Sequence, residues 1–352
     1  MARKSIKHSK ILKQLLLAGA RSRRDLAKNL HVSKASMTLI INQLLKQKIV
    51  EEVAFLTEER PGRKTIALRI KPDLAYFCGT DLEGSAIRAI IMDCEKKIIK
   101  KIKRKVEPEW TEDEIRDRWF SIIKNLINMS GIPQEKLVSI GIGLPGVVSR
   151  EYISSYACLP NGRWNNIEAG RTLGNLLPRI TAANNVICLS EYEHQMGDAK
   201  GIQDFTSILV RYGIGAASYS KGSPVVGEDF FTGELGHSKM ILNDETCICG
   251  QKGCLDIVAS GRTFDENGFY SENARNSELE KRAHFLGIGI ANLLKMFHTS
   301  KVIINGIYNK YDDIISPVIK STIKDELSNL KLPVPDIIFP KKASMRPCRP
   351  AR

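Results

Sequence analysis

The 352-residue sequence predicts an α/β protein: an N-terminal winged helix-turn-helix followed by a two-lobed body of the ribonuclease-H-like type. Apolar residues at helical spacing, then two strands around a basic turn, predict the head. A strand-strand-strand-helix-strand order from residue 76, and a second lobe starting after residue 185, predict the body and a ligand cleft between its lobes. The predicted domains are 1–72, 73–183 and 184–352, with the linker around Pro72.

The net charge of +14 is concentrated at the N-terminus. Residues 1–72 contain 17 Lys or Arg and 5 Asp or Glu, a net charge of +12, which leaves +2 for residues 73–352. A basic head on a nearly neutral body indicates a polyanion as partner, with nucleic acid favoured, and a solvated basic face is the alternative. The 43% hydrophobic content is typical of a globular protein, and no apolar run is long enough to span a bilayer.

Three helices are expected in the head. The first carries Ile11, Leu12, Leu15 and Leu16. Ser22 with Asp25 predicts the start of a second helix through Leu30, and Ser33 predicts the cap of a third, from Lys34 to about Gln47. The third helix buries Met37, Ile40, Ile41, Leu44 and Leu45. Its polar side is expected to reach base edges in the major groove, through Lys34, Ser36, Thr38 and Asn42.

A basic hairpin is predicted next. Strands over Ile49–Phe55 and Thr65–Ile70 flank a Pro-Gly turn, which places Arg63 and Lys64 where a wing approaches phosphates. Such a head can also serve protein contacts, but the localised charge favours double-stranded operator DNA. A palindromic operator would be bound by a homodimer or higher homo-oligomer.

One histidine and three cysteines within eighteen residues predict a structural zinc site. The candidate ligands are His237, Cys247, Cys249 and Cys254. Thiolates and an imidazole give zinc a closed four-coordinate shell, and Gly250 and Gly253 allow a tight loop. Buried core cysteines and thiol redox chemistry are the alternatives, although the spacing does not match Cys-x-x-Cys. The remaining scattered cysteines, and a basic N-terminus that leads into an amphipathic segment rather than a secretory core, indicate the cytoplasm, with no membrane partner.

Several motifs in the body resemble the ROK family of bacterial sugar kinases and winged-helix repressors. They are Gly141 to Gly146, Pro160-Asn161, Trp164, Gly233 to His237 and Cys247 to Cys254. The head places the chain nearest the repressor branch, of the xylose and N-acetylglucosamine repressor type. The resemblance implies an actin-like ATPase fold and a set of sugar-facing residues: Asn161, Asn184, Asn185, Glu234 and His237, with Asp256 where the family usually has glutamate. Each Asn or Glu has loop capping as its alternative role.

Four departures from the kinase pattern indicate lost catalysis. The family's Asn-Asp pair is Asn184-Asn185 here, and an amide cannot accept the proton that the aspartate base would remove. General-base catalysis contributes about 10²- to 10⁴-fold to the reaction rate. The two phosphate-binding turns read Asp81 to Ser85 and Arg211 to Gly215, and a third Gly-Gly pair reads Asn305-Gly306.

We therefore expect no catalytic residues and a repressor that responds to a sugar or sugar phosphate. An active sugar kinase that also binds DNA is the alternative, with Glu191 or Glu193 as its base. A regulator that responds to a protein partner is the other alternative. The proline-rich, basic end from Lys341 to Arg352 is expected to be disordered.

Overall fold

The computed structural model describes residues 2–55, 65–83, 86–107, 109–149, 154–156, 167–173, 179–227, 233–240, 244–265, 268 and 271–340. The chain divides into two compact units. The first comprises Met1–Cys78, Ile90–Lys101 and Lys124–Ser139, and the second comprises Gly79–Ala89, Ile102–Ile123 and Ile140–Arg352. The domain boundaries at residues 72 and 183 remain a prediction.

The N-terminal head contains the three predicted helices and a small sheet. Its elements are α1 (Ala2–Ala18), β1 (Arg21–Ser22), α2 (Arg23–Asn29), α3 (Lys34–Lys46), β2 (Val50–Phe55) and β3 (Thr65–Ile70). The strand order is β1-β3-β2, and β2 pairs with β3 in antiparallel register. The predicted turn of the wing, with Arg63 and Lys64, lies outside the described residues.

Both predicted helix caps in the head are confirmed. The Ser22 hydroxyl accepts a hydrogen bond from the Asp25 amide at 3.1 Å, and the Ser33 hydroxyl accepts one from the Ser36 amide at 3.2 Å. Each bond satisfies an N–H that a first helical turn leaves without a partner, a contribution of about 1 kcal/mol. The three helices and β3 enclose a core that includes Ile11, Leu15, Leu26, Met37, Ile41, Leu44 and Leu68.

The strand-strand-strand-helix-strand order predicted after residue 76 is confirmed. The elements are β4 (Tyr76–Glu83), β5 (Ala86–Asp93), β6 (Ile98–Lys105), α4 (Glu112–Ser130), β7 (Leu137–Leu144), β8 (Val147–Ser149), β9 (Ser154–Tyr156), β10 (Ile167–Glu168), α5 (Ala169–Leu173) and β11 (Ile180–Asn184). In the described chain, β11-β7-β4-β5-β6 form one sheet and β10-β9-β8 form another. Because β11 is parallel to β7, with Asn184 opposite Leu144, the turns after both strands open at the same sheet edge.

A second mixed sheet is surrounded by helices. The elements are α6 (Asn185–Met196), β12 (Phe205–Val210), β13 (Ile214–Ser220), β14 (Ser223–Pro224), α7 (Leu255–Ala259), α8 (Glu272–Met296), β15 (Lys301–Gly306), α9 (Asp312–Ser328) and β16 (Asp336–Ile338). The strand order is β14-β13-β12-β15-β16, with β12, β15 and β16 parallel. The core under α8 and α9 includes Ile208, Leu286, Ile290, Val302, Ile304 and Ile319. Among the described residues, no helix is both long and apolar enough to cross a membrane, and residues 341–352 lie outside them.

Candidate functional site

The four predicted metal ligands converge in the second unit. The donor atoms of His237, Cys247, Cys249 and Cys254 all lie within 4.8 Å of one another. The Cys247 Sγ to His237 Nδ1 distance and the Cys249 Sγ to Cys254 Sγ distance are both 3.7 Å. A tetrahedral zinc ion with bonds of about 2.3 Å to sulfur and about 2.0 Å to nitrogen separates its ligands by about 3.5–3.8 Å. The donor set and its spacing therefore fit zinc.

The loop that presents the cysteines depends on two glycines. Gly250 and Gly253 have φ values of +84° and +76°, in the left-handed region that residues with a Cβ rarely adopt. The Cys247 amide donates to the Gln251 carbonyl at 2.7 Å, and Cys254 caps α7. This confirms the expectation that the glycines tighten the loop.

The geometry favours a metal cluster over a group of core cysteines. Cys247 and Cys254 are buried, as core thiols would also be, but Cys249 is only half-buried and an imidazole nitrogen points at the sulfurs. Burial raises the pKa of the Cys254 thiol to about 12, and it also raises the pKa of Cys247. Both thiols therefore hold protons until a cation displaces them.

The His237 ring lies between the metal cluster and a cavity. Its Nδ1 faces Cys247 Sγ, whereas its Nε2 is 3.8 Å from Glu234 Oε2. One nitrogen is thus available to a metal and the other to Glu234 or a ligand.

A cavity of about 270 Å³ lies beside this ring, entirely within the second unit. Five of the six residues expected to face a sugar line it: Asn184, Asn185, Glu234, His237 and Asp256. The sixth, Asn161, lies outside the described residues. The volume is near the lower end of the roughly 300–1,000 Å³ of small-molecule sites, so the cavity suits a small polar ligand. Whether these residues bind a sugar remains a prediction.

The two asparagines at the start of α6 differ in how they are engaged. Asn184 caps the helix, because its Oδ1 accepts from the Val186 amide at 2.8 Å while its Nδ2 donates to the Gly146 carbonyl at 2.8 Å. The Asn185 side chain is half-buried and makes no hydrogen bond to another described residue. Asn185 therefore has the freer amide for a ligand, and Asn184 mainly fixes the backbone around it.

Asp256 is also partly engaged by the protein. Its Oδ1 accepts a hydrogen bond from the Ile214 amide at 2.8 Å, and this bond holds the turn before β13. Gly236 packs directly on that carboxylate, where a Cβ would overlap Asp256 Oδ1. Burial raises the pKa of Asp256, while His237 and the Ile214 amide act in the opposite direction. Burial likewise raises the pKa of Glu234, which explains why two acidic groups can share this cavity.

Four charged side chains join the end of β4 to the turn at Arg211, two segments that the resemblance assigns to the family's phosphate-binding turns. We call Asp81, Glu83, Arg88 and Arg211 the charged tetrad. Arg211 Nη1 is 2.9 Å from Asp81 Oδ2 and 3.4 Å from Glu83 Oε2, and Arg88 Nη1 is 3.0 and 2.9 Å from the same two atoms. The carboxylate side chains are only 10% and 6% exposed, and two positive charges balance two negative ones.

The backbone reinforces this junction. The Tyr212 amide donates to Glu83 Oε1 at 3.2 Å, so a backbone N–H of the second turn is already satisfied by a carboxylate. In the third turn, Asn305 Nδ2 donates to the buried Glu193 Oε1 at 3.1 Å. The sequence did not predict the pairing of Arg88 or Arg211, although a hairpin of β4 and β5 would have placed Arg88 near Asp81.

The exposed face of α3 only partly matches the predicted DNA-reading residues. Lys34, Thr38 and Asn42 are exposed, but Thr38 Oγ1 donates to the Lys34 carbonyl at 2.9 Å. Ser36 is half-buried, with its hydroxyl 3.0 Å from that of Ser33. Leu39 is 68% exposed on this face and was not among the predicted DNA-reading residues, which were all polar. The interaction of these residues with DNA remains a prediction.

Comparison with known proteins gives a consistent picture. The model of the ROK family matches residues 77–349. A protein named as a putative xylose repressor from Caldicellulosiruptor sp. is 25% identical over 333 residues, covering 86% of this chain and 83% of that protein.

Solved structures share the fold. A ROK family transcriptional regulator, described as a homologue of the E. coli MLC protein, has a TM-score of 0.75 at 20% identity and covers 98% of this chain and 94% of that one. A ROK family glucokinase from Streptomyces griseus has a TM-score of 0.67 at 18% identity and covers 76% of this chain and 96% of that one. The regulator match extends over the head, and the kinase match covers a smaller share of the chain.

Proposed function

Since this chain belongs to the ROK family, we propose that it is a DNA-binding transcriptional repressor whose activity responds to a sugar or sugar phosphate. The observation that carries the proposal is the charged tetrad, because it ties together the two turns that a kinase needs for nucleotide phosphates. Repression of carbohydrate uptake or catabolism genes agrees with the name of the putative xylose repressor that this chain resembles.

The effector would bind in the 270 Å³ cavity. The free amide of Asn185 and the carboxylates of Glu234 and Asp256 supply donors and acceptors for sugar hydroxyls, and His237 Nε2 adds one more group. Asn184 shapes the rim, and Asn161 is proposed as a further contact on the resemblance alone. A structural zinc ion on His237, Cys247, Cys249 and Cys254 would hold the imidazole in place.

Phosphoryl transfer is not proposed. Asn185 stands where the kinases have their base, and its amide cannot take a proton. Glu83 brings a carboxylate to the place of an anionic phosphate, and Arg211 is turned toward Asp81 and Glu83. The positive charge that would attract a phosphate is therefore already neutralised within the protein.

The head would bind double-stranded operator DNA, with α3 in the major groove and Arg63 and Lys64 on the wing. A homodimer or higher homo-oligomer acting on the bacterial nucleoid in the cytoplasm would match a palindromic operator. The proposed domains are 1–72 for DNA binding, 73–183 for the first lobe and 184–352 for the second lobe.

Site selection from a random duplex library, followed by fluorescence anisotropy, tests this function. The purified protein should enrich one palindromic sequence, and one sugar of a panel that includes xylose, glucose and N-acetylglucosamine, with their phosphates, should change its Kd. An effect of at least about fivefold corresponds to about 1 kcal/mol of coupling between the sites. Failure to enrich any sequence would reject the regulator.

Two further results decide between the regulator and its alternatives. The same panel with ATP should give no sugar phosphorylation above background, and turnover that is lost on Asn185→Ala would restore the kinase. Replacement of Glu234 by Gln should reduce the effect of the sugar on DNA affinity but leave DNA binding without sugar unchanged, because coupling requires differential binding to the two states. A sugar response unaffected by Glu234→Gln would remove this cavity as the effector site.

A further inference from the structure

A second concentration of positive charge lies outside the head. Seven of the ten residues from 96 to 105 are Lys or Arg: Lys96, Lys97, Lys100, Lys101, Lys103, Arg104 and Lys105. All but Lys96 are exposed, and most lie on β6. In the order β11-β7-β4-β5-β6, that strand is the last of its sheet. The near-neutral total for residues 73–352 therefore conceals a strongly basic sheet edge.

The start of this strand is fixed to the DNA-binding head. Residues 90–101 belong to the same compact unit as the head. Glu95 pairs with Arg69 of β3 at 2.7 Å, and Lys96 Nζ donates to the Leu17 carbonyl of α1 at 2.5 Å. Cys94 packs in the apolar core of the head. Lys97, Lys100 and Lys101 thus have a defined position relative to α3.

The exposed cations other than Lys105 form no ion pair with another described residue: Lys97, Lys100, Lys101, Lys103 and Arg104. Lys105 pairs with Glu107 at 3.2 Å. A sheet edge is commonly protected from strand addition by a lysine or two, which would account for part of the pattern. Six exposed cations in nine residues are more than the protection of a sheet edge requires. Their mutual repulsion is unfavourable without a polyanion nearby.

The length and chemistry of the edge fit a DNA backbone. At about 3.3 Å per residue, the five residues from Lys97 to Lys101 extend over about 16 Å, which corresponds to roughly five base-pair steps of a duplex. Lysine is a flexible point charge that suits phosphate oxygens and carries no sequence information by itself.

We propose that the start of the β6 edge, through Lys97, Lys100 and Lys101, binds the phosphate backbone of duplex DNA beside the site read by α3. The inference rests on the proposed function, since it requires that the head binds DNA. It adds a contact that lengthens the footprint and raises affinity without changing sequence preference.

The test compares two triple variants with equal loss of charge. The first is Lys97→Gln/Lys100→Gln/Lys101→Gln on the edge, and the second is Lys281→Gln/Lys320→Gln/Lys324→Gln on α8 and α9, where the three lysines are also exposed. Binding is measured from about 50 to about 200 mM salt, on a duplex that ends at the selected site and on one extended by about eight base pairs on each side.

The edge variant should lower the salt slope on the extended duplex by up to about 0.9 for each lost phosphate contact, and have little effect on the short duplex. The control variant should match the unmodified protein on both. Lys100→Arg/Lys101→Arg should keep the slope and confirm that charge, rather than folding, is measured.

Equal slopes for the two triple variants on the extended duplex would overturn the β6 proposal. If the edge variant instead lost binding only to vesicles that contain phosphatidylserine, the surface would serve a membrane and the proposal would also fail. Salt-dependent binding of the short duplex distinguishes failure of the β6 proposal from failure of the proposed function. If the short duplex binds but the edge variant behaves like the unmodified protein, only the β6 proposal is rejected. If the short duplex does not bind, DNA binding and the β6 proposal are both rejected.

Discussion

The charged tetrad can be tested directly as a coupled structural unit. Arg211→Met removes one guanidinium and keeps a long side chain, so that Asp81 and Glu83 must share Arg88. Removing one partner of a buried ion pair costs about 3–5 kcal/mol. Because Arg88 still lies 3.0 and 2.9 Å from the two carboxylates, we expect a smaller cost, about 2–3 kcal/mol.

A double-mutant cycle isolates the interaction across the junction. Glu83→Gln removes a negative charge but leaves an oxygen that can accept from the Tyr212 amide, so its cost should be about 1–2 kcal/mol. The double variant with Arg211→Met should cost less than the sum of the two changes, because each change removes the charge that the other leaves unbalanced. We expect a coupling energy of about 1–2 kcal/mol.

Differential scanning calorimetry of the full-length protein measures these effects, through the unfolding transition of the second unit. For a unit of about 250 residues, each kcal/mol lowers Tm by about 2–4 °C, so Arg211→Met should lower it by about 4–12 °C. Arg179→Met is the matched control, since that exposed guanidinium forms no ion pair with a described residue. Additivity within about 0.5 kcal/mol, or an equal shift for Arg179→Met, would refute the tetrad as a coupled unit.

Three further predictions concern the metal, the DNA and the chemistry. Cys249→Ser should lower zinc affinity by more than about 100-fold, measured by metal analysis after dialysis. Cys188→Ser, at a buried thiol away from the cluster, should keep about one zinc per chain. Equal metal content in the two variants would contradict the zinc site. Leu39→Ala should reduce the preference for one base pair of the selected site by about 1 kcal/mol, as the loss of an apolar contact with a thymine methyl would, and Arg63→Ala on the predicted wing should weaken binding to all sequences alike. The same change in sequence preference for both variants would refute the groove assignment. Asn185→Asp should not create sugar kinase activity in a coupled assay, because the tetrad still occupies the phosphate turns, and measurable turnover would show that only the base was missing.

Local signals in the sequence predicted the parts of this protein that depend on short-range geometry. Ser22 and Ser33 cap helices because a hydroxyl two or three residues before an amide can reach it, and the cysteine spacing led to four converging donors. The ROK resemblance read from the glycine motifs is confirmed by the family match over residues 77–349.

Features that depend on long-range register could not be predicted in the same way. Arg211 lies 130 residues from Asp81 in the chain, and only the packed turns bring them to 2.9 Å. Asn184 was grouped with the sugar-facing residues, but the backbone of Gly146 and α6 uses most of its hydrogen-bonding capacity. The positive charge of β6 was not noticed in the sequence, because only the net charge of the 280 residues from 73 to 352 was considered. The position of β6 at the edge of its sheet becomes visible only in the strand order.

The imidazole of His237 would link two equilibria, metal binding at the cysteine cluster and ligand binding in the cavity. A ring with Nδ1 at the cysteine cluster and Nε2 toward the cavity cannot rotate for one partner without moving for the other. By thermodynamic reciprocity, a cavity ligand that bonds Nε2 changes zinc affinity by the same factor by which zinc changes the affinity for that ligand. The zinc concentration would then set the affinity of the cavity for its ligand. The amount of zinc retained during dialysis would show whether the cavity is occupied, without any need for DNA.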